Sequence, residues 1–396
     1  MNARGAVAYG VALIAVLCAG LWLGGHPRVL PGFARDAFVS EPGGMTSEAA
    51  ELIKDNYYRR VGSTELGNSS LQGMVRELRR RHHDRFSDYF SPEALASFNQ
   101  EIEGHFSGIG VSVIEVKRGL RAARVFPESP AQKGGIEAGD TIVSVNGKSI
   151  AGITSTESTA LIKGPDGTEV TVGVLAAETG KVREVELTRA EVALPNVSST
   201  TTAVKGHRLG YVRMLSFSEG VHAALAEAVE KVESEGAEGI VLDLRGNPGG
   251  LLDEAVLSAS IFLPEGEVVV STKSRTQGNS VHDTVGGNLP EVPVVVLVNR
   301  NSASAAEILT AALADDGGST VVGTRTYGKG VFQETKDLAN GGALKLTVGE
   351  FFTPAGVNLA QSHGVHPDVE ASDDPETKVD EARQRAYGVL AGQVGG

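Results

Sequence analysis

The sequence predicts an α/β core of mixed sheet and helices, preceded by a β-rich domain, a small helical region and one membrane-crossing helix. Three observations carry this. From about residue 205 strands and helices alternate, the pattern of a layered α/β protein. Within that stretch "VPVVVLVN" (292–299) is a continuous apolar run, as a strand buried on both faces would be. Between about 105 and 190 the texture differs, with short apolar alternations broken by glycines that read as strands and turns.

Residues 6–25, "AVAYGVALIAVLCAGLWLGG", carry no charge. A helix of that length reaches across a hydrocarbon core of about 30 Å. With Arg4 ahead of it, the segment 1–25 reads as an uncleaved signal anchor that leaves the bulk of the chain outside the cytoplasm. Cleavage there would give a secreted form instead. Residues 26–45, rich in Pro and Gly, read as a linker. Over 46–103, Thr46 or Ser47 can cap a helix carrying Leu52, Ile53 and Tyr57. Ser91-Pro92-Glu93 opens another helix that Gly104 stops.

In 104–190, Asn146-Gly147 marks a hairpin turn and 157–162 the one helix. In 191–375, "HRLGYVRMLSF" and "GIVLDL" are strands around a helix over 219–235, and "SAAEILTAAL" is helical. The tail, 376–396, is expected to be helical.

Composition narrows the chemistry. A formal charge of -13 argues against a generic nucleic-acid binder. The one basic run, Arg76 to His83, reads as a solvated helix face. Cys18 is the single cysteine and lies in the apolar run, so disulfides, zinc–thiolate sites and a cysteine nucleophile are excluded beyond it. His363-x-x-His366 has the look of a metal pair, but Gly364 and Pro367 make that segment a turn. No metal or cofactor is expected.

The stretch "GTRTYGKG" (323–330) partly matches a phosphate-binding loop. Such a loop needs a hydroxyl after its lysine, and here Gly330 stands there, followed by the strand-like "VFQETKDL". Lys329 therefore calls for another role. Val292 to Val298 leads through Asn299-Arg300-Asn301 into a helix near Ser304. Backbone N–H groups at such a junction favour developing negative charge. Ser304-x-x-Glu307 also matches a capping box, in which the serine only satisfies helix amides. Lys329 follows Ser304 by 25 residues and Gln333 follows it by 4 more, while "DLRGNPGG" upstream offers the bare amides of Gly249 and Gly250.

Taken together, "GYVRMLSFS", "VLDLRGNPGG", "VLVNRNSASAAEI", "GTRTYGKGVFQ", "FFTPAG" and "GVHPDV" resemble, in order and spacing, the C-terminal processing (tail-specific) serine protease family. "SGIGV", "SPAQKGGIEAGDTIVSVNGKSI" and "IKGPDGTEV" resemble the PDZ domain that these proteases carry. The resemblance implies a protease core of the crotonase/Clp-protease kind. It makes Ser304 the nucleophile, Lys329 its general base and Gln333 the residue that orients the lysine. Ala305, with Gly249 or Gly250, would supply the oxyanion hole. In the PDZ-like domain Ser107, Gly108, Ile109, Gly110 and Val111 would take the carboxylate and backbone of a peptide's C-terminal tail, preferably an apolar one.

Elementary physics agrees with those roles. A free lysine titrates near 10.4 and is charged at neutral pH, but burial disfavours the ammonium. Lys329 is flanked by Tyr327, Val331 and Phe332, and a Ser–Lys pair is a known variant of triad logic. A rival histidine base would have to come from His207, His222, His363 or His366. Ser302→Ala is expected to leave most of the cleavage. The expected partners are protein or peptide tails and the membrane, with no nucleic acid. The alternative reading is a non-catalytic PDZ adaptor that tethers exported proteins.

Overall fold

The computed structural model of the chain describes residues 42–395, apart from 154, 194–195, 288–289, 291, 316, 375–376 and 378. The signal-anchor segment and most of the linker lie outside the described residues. Among those described, no helix is long and apolar enough to cross a membrane. Two compact units meet at Ser91/Pro92.

The first unit holds α1 (Pro42–Asn56), α2 (Ser63–His82) and the short β1 (Asp88–Phe90). The first helix opens at Pro42, earlier than the Thr46 or Ser47 cap, because proline suits the first helical turn. The basic run ends α2, where exposed Arg80 and Arg81 both bond Glu77. That is a solvated helix face.

The second unit opens with α3 (Pro92–Ile102) and runs through β2 (His105–Gly108), β3 (Val111–Val116), β4 (Gly119–Val125), α4 (Pro130–Lys133), β5 (Thr141–Val145), β6 (Lys148–Ser149), α5 (Ser155–Ile162), β7 (Glu169–Leu175), β8 (Val182–Thr188) and β9 (Ala190–Ala193). Strands β3-β4-β5-β7-β8 form one antiparallel sheet with β6 attached to β5. Asn146 and Gly147, both at positive φ, make the β5–β6 turn. Leu120, Ile142, Val172 and Val174, all fully buried, centre this domain's own core. Its first and last strands, β2 and β9, pair antiparallel as a separate ribbon, His105 opposite Ala193.

The remaining chain supplies β10 (Val197–Val204), β11 (His207–Met214), α6 (Val221–Ser234), β12 (Ile240–Asp243), α7 (Leu252–Ser260), β13 (Val268–Ser274), β14 (Gly278–Asp283), β15 (Val294–Val298), α8 (Ala305–Asp315), β16 (Thr320–Gly323), β17 (Val331–Asp337), β18 (Ala343–Phe352), β19 (Val369–Glu370) and α9 (Glu381–Val394). The main sheet runs β10-β11-β12-β15-β16-β19 and is parallel from β11 onward. Alternate residues of its central strands feed two cores, as a doubly buried sheet demands. Ile240, Leu242, Val296 and Val298 pack under α6, α7 and α8. Val241, Val295 and Leu297 pack under α9 through Ala386 and Leu390. Each such side chain stabilises by about 1.5–3 kcal/mol on burial. A second, antiparallel layer joins β17 to β18, β18 to β13 and β13 to β14.

Candidate active site

Three neighbouring parallel strands, β12, β15 and β16, end on the same side of the sheet, where ligands of open α/β folds collect. The loop after β12 holds Gly249 and Gly250, the turn after β15 holds Ser304, and the segment between β16 and β17 holds Lys329. Parallel register therefore brings together groups that the sequence separates by 25 to 80 positions. They line one cavity of about 480 Å³, together with Gln333, Ala305 and apolar side chains including Phe98, Phe217, Ile308 and Phe332.

The loops are tied to one another by backbone. Ala303 N–H donates to Asn247 O at 2.9 Å and Tyr327 N–H to Ser302 O at 3.0 Å. Fully buried Asn247 donates its amide to Met214 O at 3.1 Å. Ser302 is also fully buried, and its hydroxyl donates to Leu244 O at 2.8 Å while accepting Asn299 N–H at 3.0 Å. These bonds give Ser302 a part in holding the loops, which is separate from the expectation that Ser302→Ala leaves most of the cleavage. Ser302→Ala strands a buried acceptor and a buried amide, so we expect a loss of about 1–3 kcal/mol. An unchanged urea midpoint would refute that role. Arg245 holds the β12 loop from the other side, bonding Asp243 at 2.7 Å and Asp380, the N-cap of α9, at 2.8 Å.

Ser304 has φ 57, a left-handed conformation that costs a non-glycine residue about 1–3 kcal/mol. The capping box survives by half: Glu307 Oε2 accepts Ser304 N–H at 2.9 Å. No helix N–H donates to the Ser304 hydroxyl among the described residues, so the serine half of the box is not formed. Glu307 is fully buried, and the rest of its hydrogen bonds reach across to the lysine segment. Its carboxyl accepts the Thr326 hydroxyl, Gly328 N–H at 2.7 Å and Lys329 N–H at 3.0 Å. One side chain thus fixes both the serine turn and the lysine backbone. The sequence disclosed only its local half.

Lys329 is lowered to about 8, chiefly by burial, with the nearby cation of Lys345 adding to the effect and Glu307 opposing it. Gly330 beside it has no room for a side chain, since a Cβ there would lie 2.3 Å from Asn358 Oδ1. That close approach explains a glycine where a nucleotide loop would need a hydroxyl. The residues that follow form β17 rather than a helix, so the phosphate-loop reading falls. Gln333 lies next to a bulge in β17 and donates its amide to Thr347 Oγ1 at 3.4 Å.

Of the two glycines, Gly249 donates its N–H to Asn247 Oδ1 at 2.9 Å. The N–H groups of Gly250 and Ala305 have no acceptor among the described residues. Gly249 matters by proximity: a Cβ there would stand 2.8 Å from Ser304 Cβ and 2.9 Å from Ala305 N. The four histidines weighed as bases line no part of the cavity. His207 contacts Glu238, His222 contacts Glu254, His366 bonds Ser362 O and His363 sits at a positive-φ turn position. No cluster able to hold a metal exists among the described residues.

In the β-rich domain, residues 105–108 are strand β2 rather than part of a turn, because they pair with β9. Ser107 is buried, with its hydroxyl on Gly164 O at 2.7 Å and its N–H on Gln100 Oε1 at 3.4 Å. The turn shrinks to Ile109 and Gly110, whose N–H groups have no acceptor among the described residues. Val111 then begins β3, the edge strand of its sheet.

Comparison with known proteins follows the same division. The sequence model of peptidase family S41 matches residues 208–371, and that of the PDZ domain matches 96–175. The chain is 34% identical over 325 residues to the carboxy-terminal processing protease CtpA of Bacillus subtilis, covering 82% of this chain and 68% of that one. It is 35% identical over 322 residues to a probable CtpA-like serine protease of Staphylococcus aureus, covering 81% and 62% respectively. The crystal structure of an S41 protease candidate from Bacteroides fragilis aligns with a TM-score of 0.56 at 20% identity, over 87% of this chain and 97% of that one, which speaks to the fold.

Proposed function

The chain belongs to the carboxy-terminal processing proteases of peptidase family S41, serine-type peptidases, and on that premise we propose that Ser304 and Lys329 form its catalytic dyad. The observation that carries this reading is the single cavity lined by Ser304, Lys329, Gly250 and Ala305. Lys329, as the neutral amine, takes the proton of the Ser304 hydroxyl as Oγ bonds to the scissile carbonyl carbon. The oxyanion lies against Ala305 N–H and Gly250 N–H. When the C–N bond breaks, the Lys329 ammonium returns its proton to the leaving amine. Water then repeats the sequence on the acyl-enzyme. Gln333 orients the amine through its carbonyl oxygen, its amide nitrogen being engaged by Thr347.

The PDZ domain takes a free C-terminal tail by adding it to the β3 edge, with the terminal carboxylate on Ile109 and Gly110 N–H. Partly buried Val111 and Val113 make that edge apolar and support an apolar tail. The uncharged run 6–25 supports a single-pass anchor with the catalytic part outside the cytoplasm.

Ser304→Ala is expected to lower cleavage of an unfolded, tailed reporter at least a thousandfold, read as products by mass spectrometry. Wild-type turnover in that variant would end the reading. Tail affinity without any cleavage by the wild type would favour the adaptor alternative. Because Lys329 must be neutral to accept a proton and titrates at about 8, kcat/KM should climb about tenfold per pH unit below that value and level off above it. A flat profile from pH 6 to 9 would exclude a lysine base.

A further inference from the structure

Between the end of β12 and the oxyanion amides lies a stretch of backbone with little stiffness of its own. Gly246, Gly249 and Gly250 stand at φ 73, 94 and 153, and glycine leaves such angles as easily as it enters them. Where the Gly250 N–H points therefore depends on what the loop is tied to. On the cavity side the tie is backbone, with Phe217 N–H donating to Gly249 O at 3.0 Å and Leu251 N–H to Phe217 O at 2.8 Å. On the far side it is a side chain, Arg245.

The Arg245 side chain is only 11% exposed and meets three carboxylates, two of them from the C-terminal part of the chain. Its Nη1 donates to Asp380 Oδ1 at 2.8 Å and its Nη2 to Asp380 Oδ2 at 2.9 Å, a fork that fixes direction as well as distance. Nη1 also reaches Asp373 at 3.1 Å, and Nη2 reaches fully buried Asp243 at 2.7 Å. Asp243 accepts the Tyr211 hydroxyl at 2.7 Å, and the Arg383 guanidinium of α9 lies 5.3 Å from the centre of that tyrosine ring. Asp380 completes the link by accepting Arg383 N–H at 2.9 Å as the cap of α9.

Seating α9 has a separate source. Ala382, Ala386, Leu390 and Ala391 bury its apolar face against Leu209, Val241, Val295 and Leu297 of the main sheet. A buried ion pair gains little over apolar residues of the same shape, because desolvation offsets the attraction, and its best-attested use is to fix register. The register fixed here is that of α9 against the β12 loop, and Gly250 follows Arg245 by five positions.

We propose that Arg245 is a positioning residue for the reaction. By fastening α9 to the β12 loop it keeps the Gly250 N–H at the place where the oxyanion forms, so the docked C-terminal helix belongs to the framework of the active site. This rests on the dyad reading above and adds to it a remote element on which the oxyanion site depends.

The full chain is assayed with a quenched fluorescent peptide that ends in an apolar tail. Asp380→Asn keeps an oxygen for Arg383 N–H, so α9 stays capped, but turns an NH2 toward the guanidinium and opens the fork. Arg245→Lys keeps the charge without the fork. In both, kcat per folded molecule is expected to fall about tenfold to a hundredfold with KM within about twofold of wild type, since the amide meets an oxyanion only in the transition state. The pH midpoint of kcat/KM should stay in place, because the base is untouched. A purely structural role would lower the urea midpoint and leave kcat per folded molecule as it was, which overturns the proposal. Should Arg245→Lys fail to fold, Asp380→Asn decides alone.

Hydrogen–deuterium exchange on the same proteins reads the tie without turnover. Exchange should quicken over 246–251 as well as at the start of α9, and quickening confined to α9 overturns the coupling. If wild type cleaves nothing, the dyad reading fails by itself. Faster exchange over 246–251 in Asp380→Asn would then still uphold the tie between helix and loop, and unchanged exchange there would overturn it.

Discussion

Replacing Lys329 with methionine is expected to abolish cleavage and to make the protein more stable at neutral pH. The chemistry disappears on the proposed mechanism because the base assigned to the Ser304 hydroxyl is gone. The gain in stability comes from the same burial that prepares the base. Folding takes Lys329 from an ordinary value near 10.5 down to about 8, so between those two values the unfolded chain binds more protons than the folded one. Stability must then rise with pH across that window. Below about 8 the cost of charging the buried amine is fully present, on the order of 3 to 4 kcal/mol. Methionine, similar in length and uncharged, removes it. Urea titrations of both proteins at pH 7 and above pH 10 check this. The variant should lead at pH 7, and the gap should close as pH passes 10.5. A destabilised variant at pH 7 would mean that the amine is held by bonds stronger than its desolvation.

Glu307→Ala should have the larger structural effect. It leaves Ser304 N–H, Gly328 N–H, Lys329 N–H and the Thr326 hydroxyl without their acceptor in a fully buried place. Breaking a buried charged network typically costs about 3–5 kcal/mol. The serine turn also loses the tie that holds its left-handed φ, so the two reacting groups are no longer fixed to one another. We expect kcat/KM to drop at least a hundredfold in whatever fraction folds, with fraction folded read by circular dichroism. Glu307→Gln keeps one acceptor oxygen but points an NH2 at former donors, and it should fall between the two. A fully stable, fully active Glu307→Ala would show that the loops are held by the Ala303–Asn247 and Tyr327–Ser302 bonds alone.

What the sequence disclosed was what local rules govern. The buried run over 292–298 became β15, Asn146-Gly147 became the expected hairpin, and the segment after Gly330 became β17. Ser304 fell at the strand-to-helix junction because the continuous apolar run of β15 ends at Val298 and the helix begins at Ala305. What stayed hidden was long-range. Glu307 looked like a capping residue because only its bond to Ser304 spans three positions, while the others span 19 to 22. That Asn247 captures the amide of Gly249 and not that of Gly250 is a matter of turn geometry that two adjacent glycines do not reveal. Lys345 entered the site through the β17–β18 ladder, and Phe98 through α3, at the start of the segment that matches the PDZ domain.

The β2–β9 ribbon has a practical consequence. Because β2 and β9 lie side by side, the β-rich segment between them leaves and rejoins the polypeptide at nearly one point in space. Such a module can be lifted out or traded for a relative's with two neighbouring splices. The PDZ domain is then interchangeable, while the peptidase core keeps its own fold.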